Sequence, residues 1–182
     1  MNKLILFFAL IIGLSFVSCS SEEEPMPTEP TSEPSEPNDP TVEIDPAPDF
    51  ELATFDDFTL KSEDYENQNL VIFFFGNSCP PCQAVGPDVE SKLNVAFNDK
   101  ENYSIIGIDQ WDGNSASVEA FRDRTGITFP LGIMGSGVAR AFGTTYDRLV
   151  IVNTDGNIIY RGNSIAANNL DEVISIVSGL VD

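Results

Sequence analysis

Histidine is absent from the 182-residue chain. Ser-His and Cys-His nucleophile activation and the commonest metal ligand go with it. Basic residues are scarce. Nine Lys and Arg stand against 29 Asp and Glu, a formal net charge of −20. A chain so acidic repels nucleic acid and anionic lipid, and neither is expected as a partner. Cysteine is rare as well: the three are Cys19, Cys79 and Cys82. No second ligand pair accompanies Cys79 and Cys82, so a zinc centre is not expected, nor any other metal. Long apolar runs are missing too. Leu4 to Val17, about 14 residues, is too short to cross a bilayer comfortably.

That run follows a short basic start, Met1-Asn2-Lys3, as the core of a signal peptide does. It ends in Phe16-Val17-Ser18-Cys19, which resembles the lipobox of bacterial lipoproteins. Residues 1–18 are then a lipoprotein signal peptide and Cys19 the lipidated first residue, held on a membrane by its acyl chains. Ordinary signal-peptide cleavage, leaving a free Cys19, is the alternative. Residues 19–45 read as a disordered tether. Eight of the twelve prolines lie between Pro25 and Pro48, among Glu, Thr and Ser, and no Lys or Arg interrupts the stretch. Such a segment cannot bury enough apolar surface to offset its chain entropy, and it extends by self-repulsion. Ser20-Ser21-Glu22-Glu23-Glu24 resembles an acidic surface-export signal of some lipoproteins, or simply begins the spacer.

Folding potential is confined to residues 46–182. Leu70 to Phe75 is an unbroken apolar run, the pattern of a strand covered on both faces. Gly76-Asn77-Ser78 turns the chain into Cys79-Pro80-Pro81-Cys82, and the next residues show helical spacing, apolar at 85, 89, 93 and 96/97. Pro87 should kink that helix. Two short strands, within residues 47–52 and 58–60, and a Ser-capped turn at Ser62 precede it. Downstream come a strand over 103–109, a helix over 115–125 closed by Gly126, and a short strand over 128–133. A small helix over 137–142 and a hairpin, 149–152 with 158–161, turning at Asp155-Gly156, follow. A last helix is capped by Asn168. The order ββ, βαβαβ, hairpin, helix gives a three-layer α/β domain: a mixed central sheet with helices on both faces.

The dithiol sits where a strand ends and a helix begins. Free N–H groups and the positive end of the helix dipole lie there and favour a thiolate. Two cysteines at this spacing can close a small disulfide ring. Cys79, at the helix start, is expected to be exposed and nucleophilic, with Cys82, one turn on, resolving the mixed disulfide. Pro80 and Pro81 remove two backbone donors and stiffen the turn. No cofactor beyond this redox-active disulfide is expected.

This order, with Cys79-Pro80-Pro81-Cys82 at the junction, resembles the thioredoxin fold. More narrowly, it resembles the TlpA/ResA-like thiol-disulfide oxidoreductases of the bacterial envelope, in the redoxin/AhpC-TSA-like superfamily. Ala47-Pro48-Asp49-Phe50, Pro87, Ile106-Gly107-Ile108-Asp109, Thr128-Phe129-Pro130 and Asn153-Thr154-Asp155-Gly156 carry the likeness further. The resemblance implies a thioredoxin domain with an N-terminal β-hairpin and an inserted helix-strand unit. It also implies disulfide exchange with thiol- or disulfide-bearing envelope proteins, as a reductant. A reductant outside the cytoplasm needs a transmembrane thiol electron donor. The expected location is the cell envelope, on the periplasmic side or the outer-membrane surface.

The chain departs from that pattern in four places. Ser78 stands where a Trp usually precedes the first cysteine, and Phe73-Phe74-Phe75 replaces the familiar Phe-Trp. Phe73 also occupies the place of the buried acid of thioredoxins. No proline precedes Leu149 to Val152, the strand that faces the site. Asp147-Arg148 stands there and is similar to peroxiredoxins, which carry an Arg at this point. Asp147 and Arg148 are therefore candidates for a docking loop, with a surface salt bridge the other reading of Arg148. The resemblance also makes Asp112 a candidate proton acceptor, with a solvated loop residue as its alternative. Two other functions stay in view: a peroxiredoxin-like thiol peroxidase with antioxidant activity, and a redox-inert surface lipoprotein that binds through this fold. Gly76, where peroxiredoxins carry Thr, speaks against the peroxidase.

Overall fold

The computed structural model describes residues 44–181. The expected signal peptide, Cys19 and nearly all of the expected tether lie outside the described residues.

A five-stranded mixed sheet forms the middle layer, in the order β5 (Leu131–Gly132), β4 (Tyr103–Asp109), β3 (Asn69–Phe75), β6 (Arg148–Val152) and β7 (Ile158–Arg161). β3 (Asn69–Phe75) is its centre, and all seven of its residues are buried. β4 (Tyr103–Asp109) runs parallel to it, with Phe75 opposite Asp109. β6 (Arg148–Val152) runs antiparallel on the other side, with Phe74 opposite Arg148. β7 (Ile158–Arg161) returns from β6 as a hairpin. The two-residue β5 (Leu131–Gly132) pairs parallel with β4.

Alternation along β3 feeds two cores. Val71, Phe73 and Phe75 face one of them, which is covered by α1 (Pro80–Val89), α2 (Ser115–Thr125) and α4 (Ala166–Val181). Leu70, Ile72 and Phe74 face the other, covered by the β1–β2 hairpin (Glu51–Ala53 and Thr59–Lys61) and by α3 (Ser136–Ala141). This is the expected three-layer α/β arrangement, and Phe75 stacks on Phe121 of α2 at 4.2 Å between ring centroids.

α1 runs on through a π-helical turn, Glu90–Val95. The sequence explains the extra width. Val85, Val89, Leu93 and Phe97 are all buried, yet they recur every four residues. On a 3.6-residue helix such a series drifts by about 40° per repeat, and a wider turn brings the later members back over the sheet. Pro87 lies inside α1, where it withholds one ladder amide just before the widening.

Several boundaries differ from the sequence expectation. The 128–133 strand shrinks to two residues, because Pro130 has no amide to give. Its carbonyl instead accepts from Gly107 N–H at 2.9 Å. Ser62–Tyr65 is a 3-10 turn without a side-chain cap; the Ser62 hydroxyl receives the Phe50 N–H at 3.3 Å. α4 begins at Ala166, two residues before the expected cap, and Asn168 lies within it, donating to the Ser164 hydroxyl. The helix can start early because the Ala166 N–H is received by Asp147, 19 residues upstream. α2 follows the sequence closely. Asn114 caps it and Gly126 ends it in the left-handed conformation, φ 72°.

The outer strands are both met by the segment that leads into the domain. Thr54 bridges Gly132 of β5, and Ile133 N–H reaches Ala53 O at 2.9 Å. At the other edge Pro46 bridges Asn157, and Ile158 N–H at the start of β7 reaches Asp45 O at 2.7 Å. Arg161 of β7 grips the Asp45 carboxylate with two nitrogens.

Candidate active site

Cys79 and Cys82 are joined by a disulfide, with Cα atoms 5.3 Å apart. The turn that presents them is built from β3. Cys79 N–H returns to Gly76 O at 3.0 Å, and Cys79 becomes the N-cap of α1. A helix start leaves its first amides without partners. Pro80 and Pro81 fill the first two helical positions and have none, so the first amide available is that of Cys82. It donates to Cys79 Sγ at 3.3 Å. Each proline thus removes a competitor, and the helix start serves one sulfur.

Neither sulfur is exposed. Cys79 is 1% accessible and Cys82 0%, and both belong to the core that holds Phe73, Phe75 and Val85. This corrects the expectation of an exposed Cys79. Bonding to the inward-facing Cys82 draws its sulfur toward the sheet.

The third member of the site comes from the segment before β6. One carboxylate oxygen of Asp147 and the two sulfurs all lie within 4.8 Å of one another. Asp147 is 2% exposed and holds φ at 55°, a left-handed conformation that Asp tolerates better than most residues. Its Oδ1 accepts the Ala166 N–H at 3.2 Å, while Oδ2 is buried without a hydrogen-bond partner among the described residues. Burial pushes the Asp147 carboxyl above its ordinary value, against the opposing pull of the Ala166 amide and the Arg148 charge. Arg148 itself donates to the Asp147 carbonyl at 2.9 Å.

A second carboxylate braces the turn. Asp109, fully buried at the end of β4, accepts from Asn77 N at 3.0 Å, Asn77 Nδ2 at 2.9 Å, Trp111 N at 3.2 Å and Gly113 N at 2.6 Å. It ties the active-site turn to the loop after β4. Trp111, 41% exposed, meets the edge of Tyr146 with ring centroids 5.0 Å apart. Its indole lies so close to Gly76 that a Cβ there would come within 2.6 Å of two ring atoms.

The AhpC/TSA family profile matches residues 44–161. The chain belongs to the AhpC/TSA family. It is 28% identical over 105 residues to a thioredoxin-like protein, YneN, of Bacillus subtilis, covering 55% of this chain and 61% of that protein. It is 27% identical over 115 residues to the thiol-disulfide oxidoreductase ResA of Halalkalibacterium halodurans, covering 62% and 64%. The chain therefore spans less than two thirds of the curated relatives it matches. Among solved structures it is similar to the thioredoxin domain of a thiol-disulfide oxidoreductase from Bacteroides vulgatus. The TM-score is 0.64 at 15% identity, covering 75% of this chain and 96% of that one. The fold is that of thioredoxin.

Within this AhpC/TSA domain the candidate residues are spread over two places. Cys79, Cys82 and Asp147 converge; Pro80 and Pro81 are exposed on the turn. Asp147, expected in a docking loop, is turned inward. Asp112, expected as proton acceptor, is engaged elsewhere: its Oδ1 accepts the Ser136 N–H at the start of α3, at 2.9 Å. That amide, with the Ser136 hydroxyl, holds the Asp112 carboxyl below its ordinary value. Sequence reasoning gave no role to Asp109 or Trp111. An acid closing the apolar run Ile105–Ile108, and the one tryptophan in the chain, were the available signals.

Proposed function

We propose that the protein is a thiol-disulfide oxidoreductase of the bacterial envelope that works through the Cys79–Cys82 pair. The observation that carries this reading is the disulfide at the N-terminus of α1, with the first free helix amide aimed at Cys79 Sγ. On reduction, that amide and the helix dipole stabilise a Cys79 thiolate, which makes Cys79 the attacking sulfur. Cys82 then closes the ring and releases the partner. The family membership and the relatives named as oxidoreductase and thioredoxin-like support the same chemistry.

The finer reading is a reductant. Its partners are thiol- and disulfide-bearing envelope proteins, and a transmembrane thiol donor reloads it. Lipidated Cys19 holds it to the membrane, and the acidic tether carries the domain clear of the surface. No helix among the described residues is long and apolar enough to cross a membrane.

A redox titration of the full-length protein against glutathione or dithiothreitol, with thiol-trapping mass spectrometry of the Cys79 and Cys82 peptides, tests this. A reversible couple near or below about −250 mV identifies a reductant, and one near about −120 mV an oxidant. If the pair never opens reversibly, the oxidoreductase reading fails and a binding role replaces it. Rapid consumption of hydrogen peroxide by the reduced protein would favour a thiol peroxidase instead.

A further inference from the structure

We infer that Asp147 is the proton-transfer residue of the dithiol, taking the Cys82 proton during resolution and returning it to the departing partner sulfur. The inference rests on the oxidoreductase reading and adds a residue to it. Three observations carry it. A carboxylate oxygen of Asp147 lies within 4.8 Å of both sulfurs, a distance that a small movement or one water closes. The side chain is 2% exposed, so bulk water cannot readily do the same work. Oδ2 has no hydrogen-bond partner among the described residues although it is buried, whereas Oδ1 is fixed by the Ala166 amide. One oxygen anchors the carboxyl and the other is left for exchange.

The remaining groups around it do not compete. Arg148 of β6 spends its hydrogen bond on the Asp147 carbonyl, and α4 contributes only an amide. The two sulfurs themselves come from α1 and its N-cap, and Phe73 of β3 is apolar. Tyr146 is half-exposed and engaged edge-on with Trp111. Asp112 faces Ser136.

Cys79 thiolate attacks one sulfur of the partner disulfide, and the other partner sulfur leaves as thiolate. The Cys82 thiol passes its proton to the Asp147 carboxylate. Cys82 thiolate then attacks Cys79 Sγ; the Cys79–Cys82 bond forms and the bond from Cys79 to the partner breaks. The released partner thiolate takes the proton from Asp147. Two electrons pass from the dithiol to the partner, and Asp147 ends as it began. A carboxyl already lifted by burial is the stronger base for this exchange.

Asp147→Asn is the informative variant. Asn accepts a left-handed φ and can still receive the Ala166 amide, but it cannot carry a proton. The full-length wild type and variant are reduced, mixed with a disulfide-linked fluorogenic peptide, and followed through one turnover from pH 5 to 8. The expected result is a resolution rate about 100-fold lower in the variant at pH 7 and a pH profile that loses the limb belonging to residue 147. A variant within about twofold of wild type at every pH overturns the inference. Carbon NMR of the wild-type carboxyls is the second measurement. Asp147 should titrate above the ordinary aspartate value of about 3.9 and shift between the oxidised and reduced forms; a normal, redox-insensitive titration overturns the assignment. The two readings fail separately: a wild type whose disulfide never opens reversibly defeats the oxidoreductase, while an active wild type matched by its variant defeats only Asp147.

Discussion

Replacing Asp109 with Ala removes the acceptor on which the active-site turn and the loop after β4 both depend. The side chain is fully buried and receives four N–H groups, two from Asn77 and one each from Trp111 and Gly113. A hydrogen bond to a charged group contributes about 1.5–3 kcal/mol. The four do not sum, because Trp111 is exposed and its amide can rehydrate once the carboxylate is gone. The buried part of the network leaves a net cost of about 3–5 kcal/mol, the range for breaking a buried charged contact. Against a domain stability of about 5–15 kcal/mol, this is a large share. Urea unfolding of the full-length protein, followed by circular dichroism, should show the midpoint falling with little change in slope. Asp109→Asn keeps one acceptor oxygen and should lose less. A cost below about 1 kcal/mol for the alanine variant would refute the reasoning, since water would then replace the carboxylate at all four donors.

Phe121→Ala takes away the ring stacked on Phe75 inside a fully buried contact and should cost about 3–5 kcal/mol in the same urea assay. Gly76→Ala places a methyl group 2.6 Å from the Trp111 indole, so the ring must move. A loss of about 1–3 kcal/mol is expected, together with a shift in fluorescence, which reports this site alone because the chain has one tryptophan. Asp45 is held below its ordinary value by its hydrogen bond to Arg161. Its contribution is therefore present above the unfolded value of about 3.9 and is lost as pH falls through the lower folded value. Exchange protection of the Ile158 amide, which donates to Asp45 O, should be lower in Asp45→Asn than in wild type at pH 6, and the two should converge near pH 2.

The sequence reveals what local chemistry decides. The apolar run of β3, the prolines at the start of α1, Gly126 at the end of α2, and the Asp155-Gly156 turn each act through neighbours a few residues away. Their elements stand where periodicity and capping put them. Long-range contacts decide the rest. α4 starts at Ala166 because Asp147 receives its amide across the site, which no reading of residues 164–168 reveals. The inward turn of Asp147 has the same origin: an acid beside an arginine looks solvated in sequence, and only the pairing of β6 with β3, which begins at the next residue, brings it beside the sulfurs. Burial of Cys79 follows from the bond to Cys82 and from the loop facing it, both of them features of the assembled domain.

The segment from Asp45 to Thr54, which meets β5 at one end of the sheet and β7 at the other, also governs how these molecules can share a crowded space. A sheet edge with unpaired N–H and C=O groups is a template on which another chain can add a strand. Here the short β5 is met by Thr54 and the start of β7 by Asp45 and Pro46. Wherever copies are concentrated, such edge-to-edge pairing is a route to aggregation. The stretch of chain that opens the domain also blunts its two outer strands against such pairing.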